Sequence, residues 1–158
     1  MNQVSRAAEL AARVSYGKIL SVLSARSGDI ALAEDALAEA FAKALATWPK
    51  QGVPKNPDAW LMTVARNQIT DRQRHMTRFP TQQELPELPD QANQPADYPD
   101  ERLALLMVCA HPAISPDLHT PMMLQTVLGM EAKTIAQLFM VSPSALAKRL
   151  VRAKHKIR

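Results

Sequence analysis

Cysteine, glycine and aromatic residues are all scarce in this chain, and each scarcity excludes something. The single cysteine, Cys109, rules out an intramolecular disulfide and fits a reducing interior. Four glycines and an aromatic content of 4%, with few β-branched runs, argue against sheets. No apolar run approaches the ~18 residues that would span a bilayer, and the N-terminus lacks a signal-peptide core. The expected location is therefore the cytoplasm, with no membrane association. Constellations for catalysis are missing too: no Ser/His/Asp set, paired-carboxylate arrangement or phosphate-cradling glycine loop stands out, so neither an enzyme nor a cofactor is expected. Cys109, His111 and His119 come nearest to a metal set. A fourth ligand is lacking, however, and Cys-x-His is not a structural-zinc spacing. The expectation is a core thiol with capping or surface histidines, and no metal.

What is present is alanine, leucine and unevenly placed charge. Alanine and leucine dominate an apolar fraction of 47%, which points to helices and suffices for a core of one domain or two small ones. The net charge is +4 with a pI near 9.5. The last eleven residues hold six cations and no acid, whereas Pro80 to Glu101 holds six acids and no Lys or Arg. This asymmetry suggests a nucleic-acid surface joined to an acidic segment.

Periodicity divides the chain. Gln3 to Ala25 carries an apolar stripe through Ala7, Leu10, Ala11, Val14, Ile19, Val22 and Leu23, broken at Gly28-Asp29. A second helix starts on Asp29 as N-cap and runs to about Thr47, with Ala33, Leu37, Ala40, Phe41, Ala44, Leu45 and Trp48 on one face. Glu34, Asp35 and Glu39 lie in its N-terminal half, where negative charge suits the helix dipole. Pro49 to Pro57 reads as a loop. A third helix extends from Pro57 to about Met76, with Trp60, Leu61, Val64, Ala65 and Ile69 at core spacing, a polar face around Asn67, and Arg66, Arg72, Arg74 and Arg78 towards its end. Between Thr77 and Pro99 the pattern vanishes into Pro, Gln, Asp and Glu, the composition of a linker.

A second domain begins near Asp100. A short apolar helix through Leu103, Leu105, Leu106, Met107 and Val108 ends by His111-Pro112. Start signals follow at Ser115-Pro116-Asp117 and Thr120-Pro121, where the proline should kink or restart the helix. Gly129 closes that helix in the left-handed cap position. The stretch GMEAKTIAQLFMVSPSALAKRLVRAKHKIR then gives two short helices, roughly Glu131 to Phe139 and from Ser142-Pro143 onward. The second repeats Leu146, Leu150, Val151 and Ile157 inside a shell of Lys148, Arg149, Arg152, Lys154, Lys156 and Arg158. This is the pattern of a helix-turn-helix whose second helix enters the major groove. A merely solvated amphipathic helix can also be basic, but six cations without an acid favour DNA.

Three stretches together resemble the extracytoplasmic-function (ECF) sigma factors, minimal bacterial sigma subunits of two helical domains. DIALAEDALAEAFAKALATW is similar to the family's polymerase-docking helix, NPDAWLMTVARNQITDRQRH to its minus-10 helix, and the C-terminal helix-turn-helix to its minus-35 reader. CAHPAISPD further resembles a subgroup with a Cys-x-His-Pro stretch, whose members usually continue into a large C-terminal extension that this chain does not show. The resemblance implies an all-α fold with sigma region 2 at 1–76, a linker at 77–99 and sigma region 4 at 100–158. Implied partners are core RNA polymerase and promoter DNA, with an anti-sigma factor or a regulatory extension as a further candidate.

The resemblance also implies residue roles. Asp35, Glu39, Phe41 and Lys43 would contact polymerase, although the spacing of Phe41 suits a core position equally well. Asn67 would take up a flipped base of the minus-10 strand, since an amide offers donor and acceptor to an exposed base edge. The loop from Lys50 to Asn56, with Lys50 and Lys55, would wall that pocket. Arg66, Arg72 and Arg74 would meet the strand backbone. Trp60, leading an apolar stripe, reads as core rather than as a stacking platform. At the minus-35 element Ser144, Ala147 and Lys148 would face base edges, while Arg149, Arg152 and Lys154 hold phosphates. Two rivals remain open: a conventional helix-turn-helix regulator that acts without core polymerase, and a polymerase- or sigma-binding regulator without DNA specificity.

Overall fold

The computed structural model describes residues 3–77 and 99–157, and all of their regular structure is helical. Eight α-helices follow in order: α1 Gln3–Val14, α2 Tyr16–Ser27, α3 Ile30–Gln51, α4 Pro57–Thr77, α5 Arg102–Cys109, α6 His119–Thr126, α7 Ala132–Leu138 and α8 Pro143–Lys156. The all-α expectation is met. The expected linker falls almost wholly outside the described residues, as do Arg78 and Arg158.

The first apolar stripe makes two helices rather than one. The chain bends at Ser15, whose hydroxyl donates to Asp58 at 2.5 Å and ties the bend to the first turn of α4. Backbone bonds still pass through the bend, from Ser15 N to Ala11 O and from Ile19 N to Ser15 O, both 2.9 Å. Gly28 ends α2 in the left-handed conformation at φ 71°, and Asp29 caps α3 by accepting from Leu32 N at 3.0 Å. Such a cap contributes about 1 kcal/mol.

Helix α3 is the centre of the first half. Ala33, Ala36, Leu37, Ala40 and Ala44 are fully buried, so α1, α2, α4 and part of α8 all pack against it. It continues through Pro49 to Gln51, past the loop start expected at Pro49. A proline there forfeits one bond, to the carbonyl of Leu45, whose side of the helix is open to solvent. A carbonyl on an open side can be solvated, so the missing bond costs little and the last turn survives. Asn56 then caps α4 by accepting from Ala59 N at 3.1 Å. Trp48 and Trp60 meet edge to face with ring centroids 5.4 Å apart, and both are buried, as the core reading of Trp60 required.

In the second half, Pro121 sits in the first turn of α6. An N–H at that position has no intrahelical partner in any case, so the proline fits the start of the helix and no kink follows. Gly129, at φ 65°, closes the segment as expected: Met130 N donates back to Leu124 O at 3.2 Å. Met140, in the turn between α7 and α8, adopts a left-handed φ of 52° and is exposed. Cys109 is fully buried, with Sγ 3.3 Å from Thr126 Oγ1, and burial pushes its thiol pKa up. His111 Nδ1 accepts from Ala113 N at 3.0 Å, and His119 Nε2 lies 3.0 Å from Ile114 O. Both histidines hold the turn that follows α5.

The two halves also meet each other. The buried side chains of both join in one cluster. Helix α5 packs on α2, and α8 touches α3. A β-carbon placed on Gly17 of α2 would lie 2.0 Å from the carbonyl oxygen of Val127, so only glycine permits this approach. The final helix is not swallowed by the contact. Ala153 and Lys154 are buried, while Ser144, Lys148, Arg149 and Arg152 remain exposed.

The two faces of α3 should separate cleanly by mutation. Leu37→Ala is expected to lower stability by about 2–5 kcal/mol, and Leu45→Ala to stay within about 0.5 kcal/mol, as read from urea-denaturation midpoints.

Candidate nucleic-acid interface

Burying the alanine face of α3 turns its other side outward. Asp35, Glu39 and Lys43 follow at intervals of four, which places them along one edge of the helix; Asp35 and Lys43 are exposed and Glu39 is half-buried. Phe41 is half-buried and packs against the core, one of the two positions its spacing allowed. Helix α4 closes on this edge through Arg72, whose guanidinium pairs with Glu39 and reaches Asp35 at 3.6 Å. One expected strand contact and two expected polymerase contacts are therefore a single charge cluster. All three side chains keep substantial solvent exposure, so the pairing stabilises the fold by less than about 1 kcal/mol. Its main effect is to orient the two carboxylates.

Along α4, Arg66, Asn67, Thr70 and Asp71 are half-buried and Arg74 is exposed. Thr63 and Thr70 turn their hydroxyls back onto the carbonyls of Ala59 and Arg66. Lys50 and Lys55 are exposed at the junction of α3 and α4. Asn67 stands ten residues into α4, about 15 Å along its axis from that junction. The lysines and the amide thus do not meet at one point.

In the second half, the capping Ser142 starts α8, its Oγ 3.5 Å from Ala145 N. Leu146, Leu150 and Ala153 turn inward. That leaves Ser144 and Lys148 on one exposed line and Arg149 and Arg152 on the next, with Ala147 half-buried between the faces. Arg149 pairs with Asp117. The Ser115 hydroxyl, followed by Arg149, holds the Asp117 carboxyl below its ordinary range. This exposed contact is present at neutral pH and is lost as pH falls through the lowered value. Behind it lies a groove of about 230 Å³ with an apolar floor of Ile114, Leu118 and Ala153, bordered by Arg149, Arg152 and Lys156.

Lys154 departs from expectation. It is 5% exposed and gives its ammonium to Glu34 at 2.6 and 2.7 Å and to Gln125 Oε1 at 2.6 Å. On α8 it follows Ala153 onto the inward side, so in this conformation it cannot hold a phosphate. The sequence shows that Glu34 is acidic and Lys154 basic. Nothing in helical spacing couples residues 120 positions apart. Asp117 as the partner of Arg149 escaped for the same reason.

Residues 13–79 match the family model of sigma-70 region 2. An uncharacterized protein of Rhizobium meliloti (strain 1021) is 37% identical over 135 residues, which covers 80% of this chain and 32% of the relative. A match of that length runs past residue 79 into the second half. The chain spans about a third of the length of the curated relative it matches. No solved structure matches.

Unpaired and paired cations should differ in binding. Arg152→Ala is expected to reduce the slope of log K against log[salt] for duplex DNA by about 0.9. Arg149→Ala should reduce it by less, because Asp117 already offsets that charge. Filter binding over a salt series checks both.

Proposed function

We propose that this chain is a transcription initiation factor of the ECF type. It binds core RNA polymerase through region 2, with Asp35, Glu39, Lys43 and the half-buried Phe41 at the contact, and directs the enzyme to promoters. The observation that carries this reading is the sigma-70 region 2 match over 13–79, which contains both the acidic edge of α3 and Asn67. An acidic edge on a rigid helix suits a cationic partner surface, where complementary charge speeds docking more than it adds affinity.

In this reading residues 100–158 are region 4, and α8 addresses the minus-35 element with Ser144, Ala147 and Lys148 towards base edges and Arg149 and Arg152 towards phosphates. The amide of Asn67 takes up an unstacked minus-10 base, with Arg66 and Arg74, and Lys50 and Lys55 at the far end, following the strand backbone. Arg72 contributes by setting Asp35 and Glu39. Catalysis belongs to the polymerase, and the factor works in the cytoplasm. The CAHPAISPD stretch supports the Cys-x-His-Pro subgroup, in which a C-terminal extension or an anti-sigma factor would supply control.

Run-off transcription with purified core enzyme, with and without the chain, tests the assignment: promoter-specific transcripts are expected only with it. A conventional helix-turn-helix regulator would instead bind duplex DNA tightly alone and start no transcripts with core enzyme. Asn67→Ala is expected to slow promoter opening, read by permanganate reactivity of unpaired thymines, while closed-complex binding stays within about twofold. Equal losses at both steps would remove Asn67 from base capture.

A further inference from the structure

Helix α8 has no acid of its own, yet a carboxylate is set against its exposed cations from outside. Asp117 comes from the short 3₁₀ turn Pro116–Leu118 that precedes α6, and that turn is braced. Ile114 and Leu118 are buried on either side of it, and Leu118 N donates to Ser115 O at 2.9 Å. The Ser115 hydroxyl donates to Asp117 Oδ1, and Arg149 Nη2 donates to Oδ2. Because serine and arginine hold different oxygens, the carboxylate keeps its place whether or not Arg149 stays with it. Both donors also hold the carboxyl below its ordinary range, so it is ionised throughout the neutral region.

Its position along α8 gives that charge a use. At about 100° per residue, the exposed cations of the helix fall on two lines. Ser144 and Lys148 mark one; Arg149 and Lys156 mark the other, with Arg152 between them. The second line is the rim of the apolar-floored groove. It extends about 10 Å along the axis, the rise of about three nucleotides at 3.4 Å each. A DNA backbone laid there would satisfy the three cations Arg149, Arg152 and Lys156 and read nothing. The side chains of Ile114, Leu118 and Ala153 beneath them offer no hydrogen bond to a base edge. Among the described residues Lys148, Arg152 and Lys156 have no ion-pair partner. Asp117 stands at the head of the rim, where it occupies Arg149 and fixes a negative charge beside the path a phosphate would take. Like charge suppresses a wrong docking mode as surely as a contact favours the right one. A guanidinium has several donors, so Arg149 still has some to offer a phosphate that arrives from the Lys148 side.

We infer that Asp117, acting through Arg149, is a specificity-determining residue: it denies the groove-side flank of α8 to the DNA backbone and leaves the Ser144–Lys148 line to meet the duplex. This rests on the DNA-binding part of the function proposed above.

Asp117→Asn in the full chain is the test, since the amide oxygen still accepts from Ser115 while the charge is gone. The probe is a random-sequence duplex of about 30 base pairs. Asp117→Asn is expected to bind it about fivefold more tightly at about 0.15 M salt, with a slope of log K against log[salt] steeper by about 0.9, as one added phosphate contact requires. Asp117→Glu, which keeps the charge, should stay within about twofold of the parent, and in an Arg149→Ala background Asp117→Asn should change affinity by less than about twofold. The parent chain with core polymerase is then used to select duplexes from a random pool. The affinity ratio of selected over random duplex is expected to fall at least about threefold in Asp117→Asn.

Unchanged affinity and slope in Asp117→Asn would overturn the inference, as would a gain that persists in full without Arg149. Weaker binding at the parent slope would give Asp117 a structural role only and overturn it too. Tighter random binding with an unchanged ratio would leave a charge mask without selectivity, against the inference but not against the promoter reading. A parent chain that selects no sequence would overturn the promoter reading, and the role of Asp117 with it.

Discussion

The helices of the first half are arranged around a helix face built largely of alanine, with Ile30, Leu37 and Trp48 among the methyl groups. Along α3 the inward positions are mostly alanine, fully buried, and a row of methyl groups lets neighbouring helices come close from several directions. Dense packing around small side chains leaves little room for adjustment, so α1, α2 and α4 are fixed with respect to one rod. The polar edge of that rod is fixed with them. Asp35 and Glu39 do not wander on a loop; they project from a buried helix and are braced by Arg72 from the next one.

The same rod accepts the second half of the chain. At Glu34 it meets α8, and the meeting is ionic. Burying a lysine and a carboxylate together contributes little net stability compared with an apolar contact of the same size, so the pair does not explain why the halves adhere. Adhesion comes from α5 on α2 and from the close backbone approach at Gly17. The ion pair explains why they adhere in one register. Helix α8 therefore divides along its length: its first turns carry exposed cations on a helix-turn-helix scaffold, and its last turns belong to the joint.

Much of this was legible from residue order. The caps at Asp29, Asn56 and Ser142, the left-handed closure at Gly129 and the core positions of Trp60 and Cys109 all follow from local chemistry that operates over a few residues. The bend at Ser15 was not legible, because a serine in a helical stripe gives no sign that Asp58 lies opposite to capture it. The extra turn through Pro49 depended on which side of the helix faces solvent, a property set by packing. Candidate site residues divide in the same way. Membership of an exposed line, as for Asp35, Lys43, Lys148 and Arg152, can be counted from periodicity. The partners of Arg72, Arg149 and Lys154 cannot, since each belongs to a different helix whose register only the folded chain defines.

The paired tryptophans carry a practical consequence. Both indoles of the chain, Trp48 and Trp60, are in the first half and touch each other edge to face. Ultraviolet emission excited at the indole band is therefore blind to the second half, whereas helical ellipticity draws on both. Any mismatch between the two signals on heating would be a direct optical readout of one half melting without the other.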